Sequence, residues 1–564
     1  MFTNQIYWKP DIFTRTQTFL LCILAFIIMC ETVVAQSQQP NIILILADDF
    51  GYENLRCNGG ESYQTPNLDA MAAQGLRFTQ VHSCPNCSPS RFELMTGVYN
   101  FRNYNKWGVM PTSNRTFGNV LHDAGYKTGI FGKWQLDGGD ASIHAFGFDD
   151  YIIYDPLRTM TDNEDSVEDG SRYKNPHLYA NGNYLPATQM NGKYGDDVLV
   201  DSLRTFITRN KDSKFFAYYT MISPHIPFTP TPDDFAFSTW DPNLPGDTSM
   251  YPSMIKYLDK KVGQILKFID SLGISERTII LFTGDNGTTN KIYSWFNGVK
   301  VKGGKGNTVE NATHVPLLVK WQGHTPVGVD TSLIDFTDFY PTLADIANAS
   351  HDSLDGISFY PQITAQKGAL RNSIFCHFQK NPSDNTPLYR WAQDRRFKLY
   401  DSTILNNAYL FYDIVRDVKE KKPLADSLLS SQKAIIKHQL LEVINSHVIH
   451  SIPVLSNPII LAITDSSVTI KDSILSNSGA NITACGMVWD TLPDPQLASG
   501  AYTVHITSTG SFIDYITSLK LNTTYYVKAY ATNLYGTAYS NQVIFKTLAH
   551  IAAFDLLLVK IFVL

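Results

Sequence analysis

Cys87-Ser88-Pro89-Ser90-Arg91 continues through Phe92-Glu93-Leu94-Met95-Thr96 to Gly97, and few stretches of this chain concentrate as much chemistry. Ser88 to Thr96 reads as a helix that Gly97 ends, so residue 87 lies at a helix N-terminus. Free N–H groups and the helix dipole favour an anion there. Arg91, one turn on, adds a guanidinium suited to an oxyanion. Asp48-Asp49 and Asp285-Asn286 form a second constellation. They offer only hard oxygen ligands, which suit Ca²⁺ or Mg²⁺ rather than zinc. Cys84 and Cys87 have C-x-x-C spacing, but no second C-x-x-C follows to complete a zinc site.

The elements that must position these residues are legible around them. Asn41 to Ala47 is a continuous apolar run of strand length, and Asp48-Asp49 follows it directly. Such runs fit strands buried on both faces of a parallel sheet. Thr278 to Thr283 is a second such run, ending at Gly284-Asp285-Asn286-Gly287. Thr65-Pro66 starts a helix that Gly75 ends, with Thr65 as its N-cap. Ile255, Leu258, Val262, Ile265 and Ile269 recur at helical spacing. Strands alternating with helices predict an α/β domain whose ligands bind beyond the carboxyl ends of the strands. After about Ser451 the pattern changes to short alternating strands. Tyr525, Val527, Ala529 and Ala531 alternate with Tyr526, Lys528, Tyr530 and Thr532, one buried face against one exposed.

The motif CSPSRFELMTG resembles the signature of the formylglycine-dependent sulfatases, arylsulfatase-like members of the alkaline phosphatase superfamily. Other motifs follow in the family's order from about Pro40 to His447. The resemblance implies an alkaline-phosphatase-like domain with a large mixed sheet flanked by helices. It implies that a maturation enzyme oxidises Cys87 to formylglycine, whose hydrate attacks sulfur. It assigns one Ca²⁺ to Asp48, Asp49, Asp285, Asn286 and the oxidised side chain of residue 87. Gly132-Lys133-Trp134-Gln135-Leu136 resembles the family's G-K-W-H-L, with Lys133 as a sulfate-binding cation. Gln135 replaces the family histidine, and glutamine can bond a hydroxyl but cannot take its proton at neutral pH. Ser223-Pro224-His225-Ile226-Pro227 resembles P-H-x-P, which makes His225 the general acid to the leaving group. Gly304-Lys305-Gly306 resembles G-K-G, with Lys305 on sulfate. His314 stands where the family often has an arginine, a substrate-side position rather than a catalytic one. Catalysis thus falls to Cys87, Arg91, Lys133, His225 and Lys305, with Gln135 and His314 on the substrate. His82 and His144 are further candidates on the substrate side, each more often structural.

The termini and composition bound the rest. Lys9 and Arg15 precede an apolar run from Phe19 to Met29, and Val33-Val34-Ala35 offers a cleavage site. Residues 1–35 therefore read as a secretory signal, too short for a membrane anchor, with export to the periplasm, cell surface or medium. Cys22 and Cys30 leave with it, and the remaining five cysteines are an odd number for an oxidising compartment. A net charge of -6 gives no basic footprint for nucleic acid. The sulfatase domain is expected over residues 40–450. A β-sandwich resembling fibronectin type III modules is expected over 452–547, followed by an apolar tail at 548–564. The expected partners are a sulfated glycan and the formylglycine-generating enzyme. Two other readings stand beside the sulfatase one: a phosphonate or phosphate ester hydrolase of the same superfamily, and a non-catalytic sulfated-glycan-binding protein.

Overall fold

The computed structural model describes residues 39–154, 172–382, 386–401, 409–447, 452–478, 482–505, 509–533 and 536–549. The expected signal at 1–35 lies outside them, as does the tail beyond residue 549. The chain divides into two compact units between residues 444 and 445. Among the described residues, no helix is long and apolar enough to cross a membrane.

The first unit is built on a ten-stranded sheet. Its strands are β1 (Asn41–Ala47), β2 (Leu76–His82), β3 (Lys127–Lys133), β4 (Asp150–Tyr154), β5 (Leu178–Ala180), β6 (Asn183–Tyr184), β7 (Phe215–Thr220), β8 (Thr278–Gly284), β11 (Leu317–Lys320) and β12 (Gly328–Asp335). A separate hairpin, β9 (Tyr293–Phe296) and β10 (Val299–Lys302), lies between β8 and β11 in the chain. The sheet order is β12-β2-β11-β8-β1-β7-β3-β4-β5-β6. Strands β8, β1, β7, β3 and β4 are neighbours and parallel, while β11 runs antiparallel to both β8 and β2. The sheet is therefore mixed.

The apolar run of β1 is buried throughout because both faces of the strand are covered. Ile42, Leu44 and Leu46 enter one hydrophobic cluster, and Ile43, Ile45 and Ala47 enter the other. The period of two deals successive side chains to opposite faces. On the first face lie helices α2 (Cys87–Thr96), α3 (Phe117–Asp123) and α6 (Phe339–Ile346). On the second lie α1 (Pro66–Ala73), α4 (Gly195–Asn210) and α5 (Tyr251–Ser271). The five apolar residues expected to line α5 are all buried. Each such side chain contributes roughly 1.5–3 kcal/mol of burial. An α/β domain with a large mixed sheet between two helical layers results.

Two local details differ from the sequence reading. Thr65 precedes α1, but its hydroxyl makes no cap bond to the helix and instead donates to Asp69 at 3.3 Å. Gln74 ends that helix, and Gly75 is needed for a different reason. A Cβ there would lie 2.2 Å from the Val319 carbonyl of β11.

The second unit is all-β. A four-stranded antiparallel sheet (Val454–Leu455, Ile459–Ile463, Val468–Ser476, Gly510–Ile516) and a five-stranded one share a hydrophobic core. The longest strand, Thr524–Asn533, buries Tyr525, Val527, Ala529 and Ala531. Tyr530, on the face expected to be exposed, is also buried, with its hydroxyl donating to the Thr503 carbonyl at 2.6 Å. The phenol's partner is what makes that burial tolerable.

Candidate active site

Strands β8, β1, β7 and β3 stand side by side and end at the same edge of the sheet. Asp285-Asn286 follows β8, Asp48-Asp49 follows β1, His225 follows β7, and Lys133 closes β3. Four motifs scattered over 239 positions of sequence thereby meet, as expected for a parallel sheet. Gly132 makes the β3 end possible. Its φ is +119°, and a Cβ would lie 1.7 Å from the Thr220 carbonyl of β7.

Helix α2 begins at Cys87, one residue earlier than the sequence reading, after Asn86. Gly97 ends it in the left-handed region at φ +68°. All ten residues of α2 are buried. Arg91 points from its first turns into the centre. Its Nη2 donates to Asp285 at 2.8 Å, its Nε to the same oxygen at 3.2 Å, and its Nη1 to the Lys133 carbonyl at 3.2 Å.

The remaining cations are held by β1's acidic pair. Lys133 Nζ is 2.9 Å from both Asp48 oxygens, and Lys305 Nζ is 3.0 Å from both Asp49 oxygens. Lys305 Nζ also lies 3.2 Å from His225 Nε2. His225 Nδ1 is 2.7 Å from the Ile226 carbonyl, so Nδ1 carries the hydrogen and Nε2 offers a lone pair to Lys305. Burial holds His225 well below the ordinary histidine range. Asn286 Nδ2 donates to Asp49 at 2.9 Å, and Asp49 N–H to Asp285 at 2.9 Å.

The electrostatics are lopsided. Burial pushes Asp49 up to about 6 despite Lys305, with Asp48 and Asp285 adding like-charge repulsion. Burial and Asp48 raise Asp285 as well. Burial also opposes ionisation of Asp48, but Lys133 and the other positive groups around it hold its carboxyl below the usual range. Asn286 Oδ1 is buried without a hydrogen-bond partner. Crowded carboxylates plus an unpartnered amide oxygen fit a hard divalent cation. Asp48, Asp49 and His225 each bring a ligand atom within 4.8 Å of the others.

Gln135 is buried beside α2, with Nε2 donating to Ser88 Oγ at 3.2 Å and Oε1 unpartnered. Gln135 and Asp49 both have φ +63°, a costly backbone for residues other than glycine and one that clusters at functional sites. His314 follows the Glu310–Thr313 turn and is packed among rings. It stacks on Tyr52 at 4.0 Å and on His82 at 5.2 Å, and its Nε2 bonds the Thr79 carbonyl. His144 bonds the Phe148 carbonyl at 2.9 Å. The Cys84 thiol faces Cys376 Sγ at 3.7 Å and Glu93 at 3.3 Å.

Arg172 was not legible in the sequence. Its Nη1 donates to Asp48 at 3.2 Å, and its guanidinium lies over the Tyr154 ring at 4.9 Å. Ser171-Arg172-Tyr173 matches no motif, so only the tertiary structure brings this cation to the site.

This fold and this cluster define a hydrolase of the sulfatase family, to which the chain belongs. The family's sequence profile, described as "Sulfatase", matches residues 40–349. The chain is a sulfuric ester hydrolase. It is similar to human arylsulfatase A, 31% identical over 375 residues, covering 61% of this chain and 71% of that protein. It is also similar to an N-acetylgalactosamine-6-O-sulfatase of Bacteroides thetaiotaomicron, 29% identical over 381 residues, covering 55% and 72%. The fold is shared with the crystal structure of Ps i-CgsB in complex with k-i-k-neocarrahexaose. The TM-score is 0.60 at 23% identity, covering 72% of this chain and 92% of that one.

Proposed function

We propose that this sulfatase is exported and cleaves sulfate esters on a sulfated glycan, using formylglycine at position 87 and one Ca²⁺. The observation that carries the reading is the cluster of three buried cations, Arg91 from α2, Lys133 and Lys305, held on the carboxylates of Asp285, Asp48 and Asp49 beyond the strand ends. Three buried cations gathered in one cluster suit a tetrahedral oxyanion. A maturation enzyme oxidises Cys87, and the hydrate supplies the nucleophilic hydroxyl toward sulfur. Asp48, Asp49, Asp285 and Asn286, with the side chain at 87, would hold Ca²⁺, which supplies charge that balances sulfate and acidifies that hydroxyl.

The chain's own residues then divide the work. Arg91 and Lys133 hold sulfate oxygens, and Lys305 sits toward the leaving oxygen. His225 acts on that oxygen as proton donor. Its Nε2 carries no hydrogen in the resting arrangement and accepts from Lys305 at 3.2 Å, so His225 must take up a further proton before it donates one. Gln135 bonds Ser88 and orients without exchanging protons. The signal-like residues 1–35 support export, and the two named glycan-associated relatives support a sulfated glycan as substrate.

The test is sulfate release from a panel of sulfated oligosaccharides by the full chain and by Cys87→Ala. Release by the first and not by the second is expected. Equal release by both, or phosphonate ester turnover exceeding sulfate ester turnover, refutes the reading.

A further inference from the structure

Between Asn286 and Lys305 the chain makes an excursion, the β9–β10 hairpin. Its base is tied shut beside the active site. Lys305 N–H donates to the Thr288 carbonyl at 3.0 Å, and Gly303 N–H to the Ile292 carbonyl at 2.9 Å. A two-stranded hairpin alone is marginal in water, so its inner face must be anchored. Ser294 Oγ meets Tyr63 Oη at 2.9 Å, and Phe296 packs edge-on against Tyr52. Trp295 N–H donates to Ser62 Oγ at 2.7 Å.

The outer face is built differently. Tyr293 pairs with Lys302 and Trp295 with Lys300, so these four side chains share one face. Tyr293 is 56% exposed and Trp295 50% exposed, and both lysines are exposed. The Nζ of Lys300 and of Lys302 lie 5.3 and 5.8 Å from the Tyr293 ring centre. Among the described residues neither lysine forms an ion pair. Large aromatic rings left in water lose burial energy, and here two of them share a face with two exposed cations that make no ion pair among the described residues.

We propose that the outer face of this hairpin is a subsite for a sulfated oligosaccharide, holding sugar units adjacent to the one that is desulfated. This rests on the glycan sulfatase reading above. Flat aromatic faces pack against the C–H faces of pyranose rings, and the ammonium groups pair with sulfate. Lys302 is three residues from Lys305, a reach of at most ~11 Å along the chain. Trp295 and Lys300 lie a further ~7 Å out. The strip therefore leads away from the sulfate-binding cations toward solvent, the path of a chain rather than of a free sugar sulfate. Glu61, whose carboxylate accepts from Gly298 N–H at 2.8 Å, marks its far end and repels polyanions there.

Affinity electrophoresis of the full chain, in gels holding heparin, chondroitin sulfate or carrageenan and in gels holding their desulfated forms, tests binding without any need for turnover. Retardation by at least one sulfated polymer is expected. It should fall at least tenfold in Trp295→Ala/Tyr293→Ala and in Lys300→Gln/Lys302→Gln. Trp295→Phe and Lys300→Arg/Lys302→Arg should retain it. KM for a sulfated oligosaccharide should rise at least tenfold in the Ala pair, while kcat/KM for a small aryl sulfate changes less than twofold. Equal retardation of wild type and both disabled pairs overturns the subsite even if the chain proves an active sulfatase. Loss of small-substrate turnover in parallel also overturns it, since the hairpin then only supports the site. Wild-type dimerisation abolished by the Ala pair assigns the face to a second copy instead. Retardation lost in the variants of a chain that releases no sulfate upholds the subsite and refutes the catalytic reading.

Discussion

Gln135 Nε2 donates to Ser88 Oγ at 3.2 Å and so ties the end of β3 to the first turn of α2. The bond couples the strand carrying Lys133 to the helix carrying Cys87 and Arg91. Removing it in Gln135→Ala forfeits about 1 kcal/mol, roughly a fivefold fall in kcat. Gln135→His should equal or exceed wild type, because an imidazole there restores a base beside residue 87. Steady-state and single-turnover kinetics on both variants check this. An Ala variant as inactive as Cys87→Ala would assign Gln135 a larger role.

Cys87 should carry formylglycine in active protein. The tryptic peptide following Arg77 should show an aldehyde form lighter than the thiol form by mass spectrometry. Cys87→Ala should lose nearly all turnover while keeping its fold, since the thiol's contact with Asn86 Oδ1, at 3.9 Å, is a weak one. Wild-type turnover in that variant would remove the nucleophile from the mechanism.

Metal removal should destabilise the first unit. A ligand at 100-fold over its Kd contributes about 2.7 kcal/mol. Chelation should therefore lower the thermal midpoint, and added Ca²⁺ should restore it. Asp285→Ala should show neither response and should retain no stoichiometric metal. It also leaves Arg91 without its 2.8 Å partner, so Asn286→Ala serves as the milder second variant. An undiminished calcium content in both variants would exclude this ligand set.

Stability should fall in mild acid through His82. Burial lowers its pKa to about 4, and Glu310 only partly offsets this. The unfolded chain takes up the proton near 6.5, whereas the folded chain resists it until about 4. The stabilisation is thus full above 6.5 and is lost as pH drops from there to 4, up to about 3 kcal/mol. His82→Gln should flatten the slope of unfolding free energy against pH in that window. An unchanged slope would place the acid sensitivity elsewhere.

A chain ending after residue 451 should keep turnover on a small aryl sulfate, because every residue assigned to chemistry lies in the first compact unit. Lost turnover in a truncated chain with native circular dichroism would show that the β unit shapes the site.

The strands, the helix at residue 87 and the acidic strand ends were legible because each is a local pattern. A mostly apolar run of strand length has few fates besides a strand covered on both faces, and β1 and β8, each buried throughout, took it. The oxygen-only pairs at the ends of those runs are a local pattern that suits a hard cation. What sequence periodicity left open were the pairings between distant segments. Tyr530 reads as solvent-facing until the Thr503 carbonyl is found opposite its hydroxyl. Arg172 carries no motif, and its role appears only when packing sets it against Asp48. His314 occupies a family arginine's place in the chain, and its stacking between the rings of Tyr52 and His82 could not be read from that position. Local propensity and hydrophobic period act over one or two turns. The Coulomb and stacking partners of a buried side chain come from hundreds of residues away, and only the folded sheet decides which ones meet.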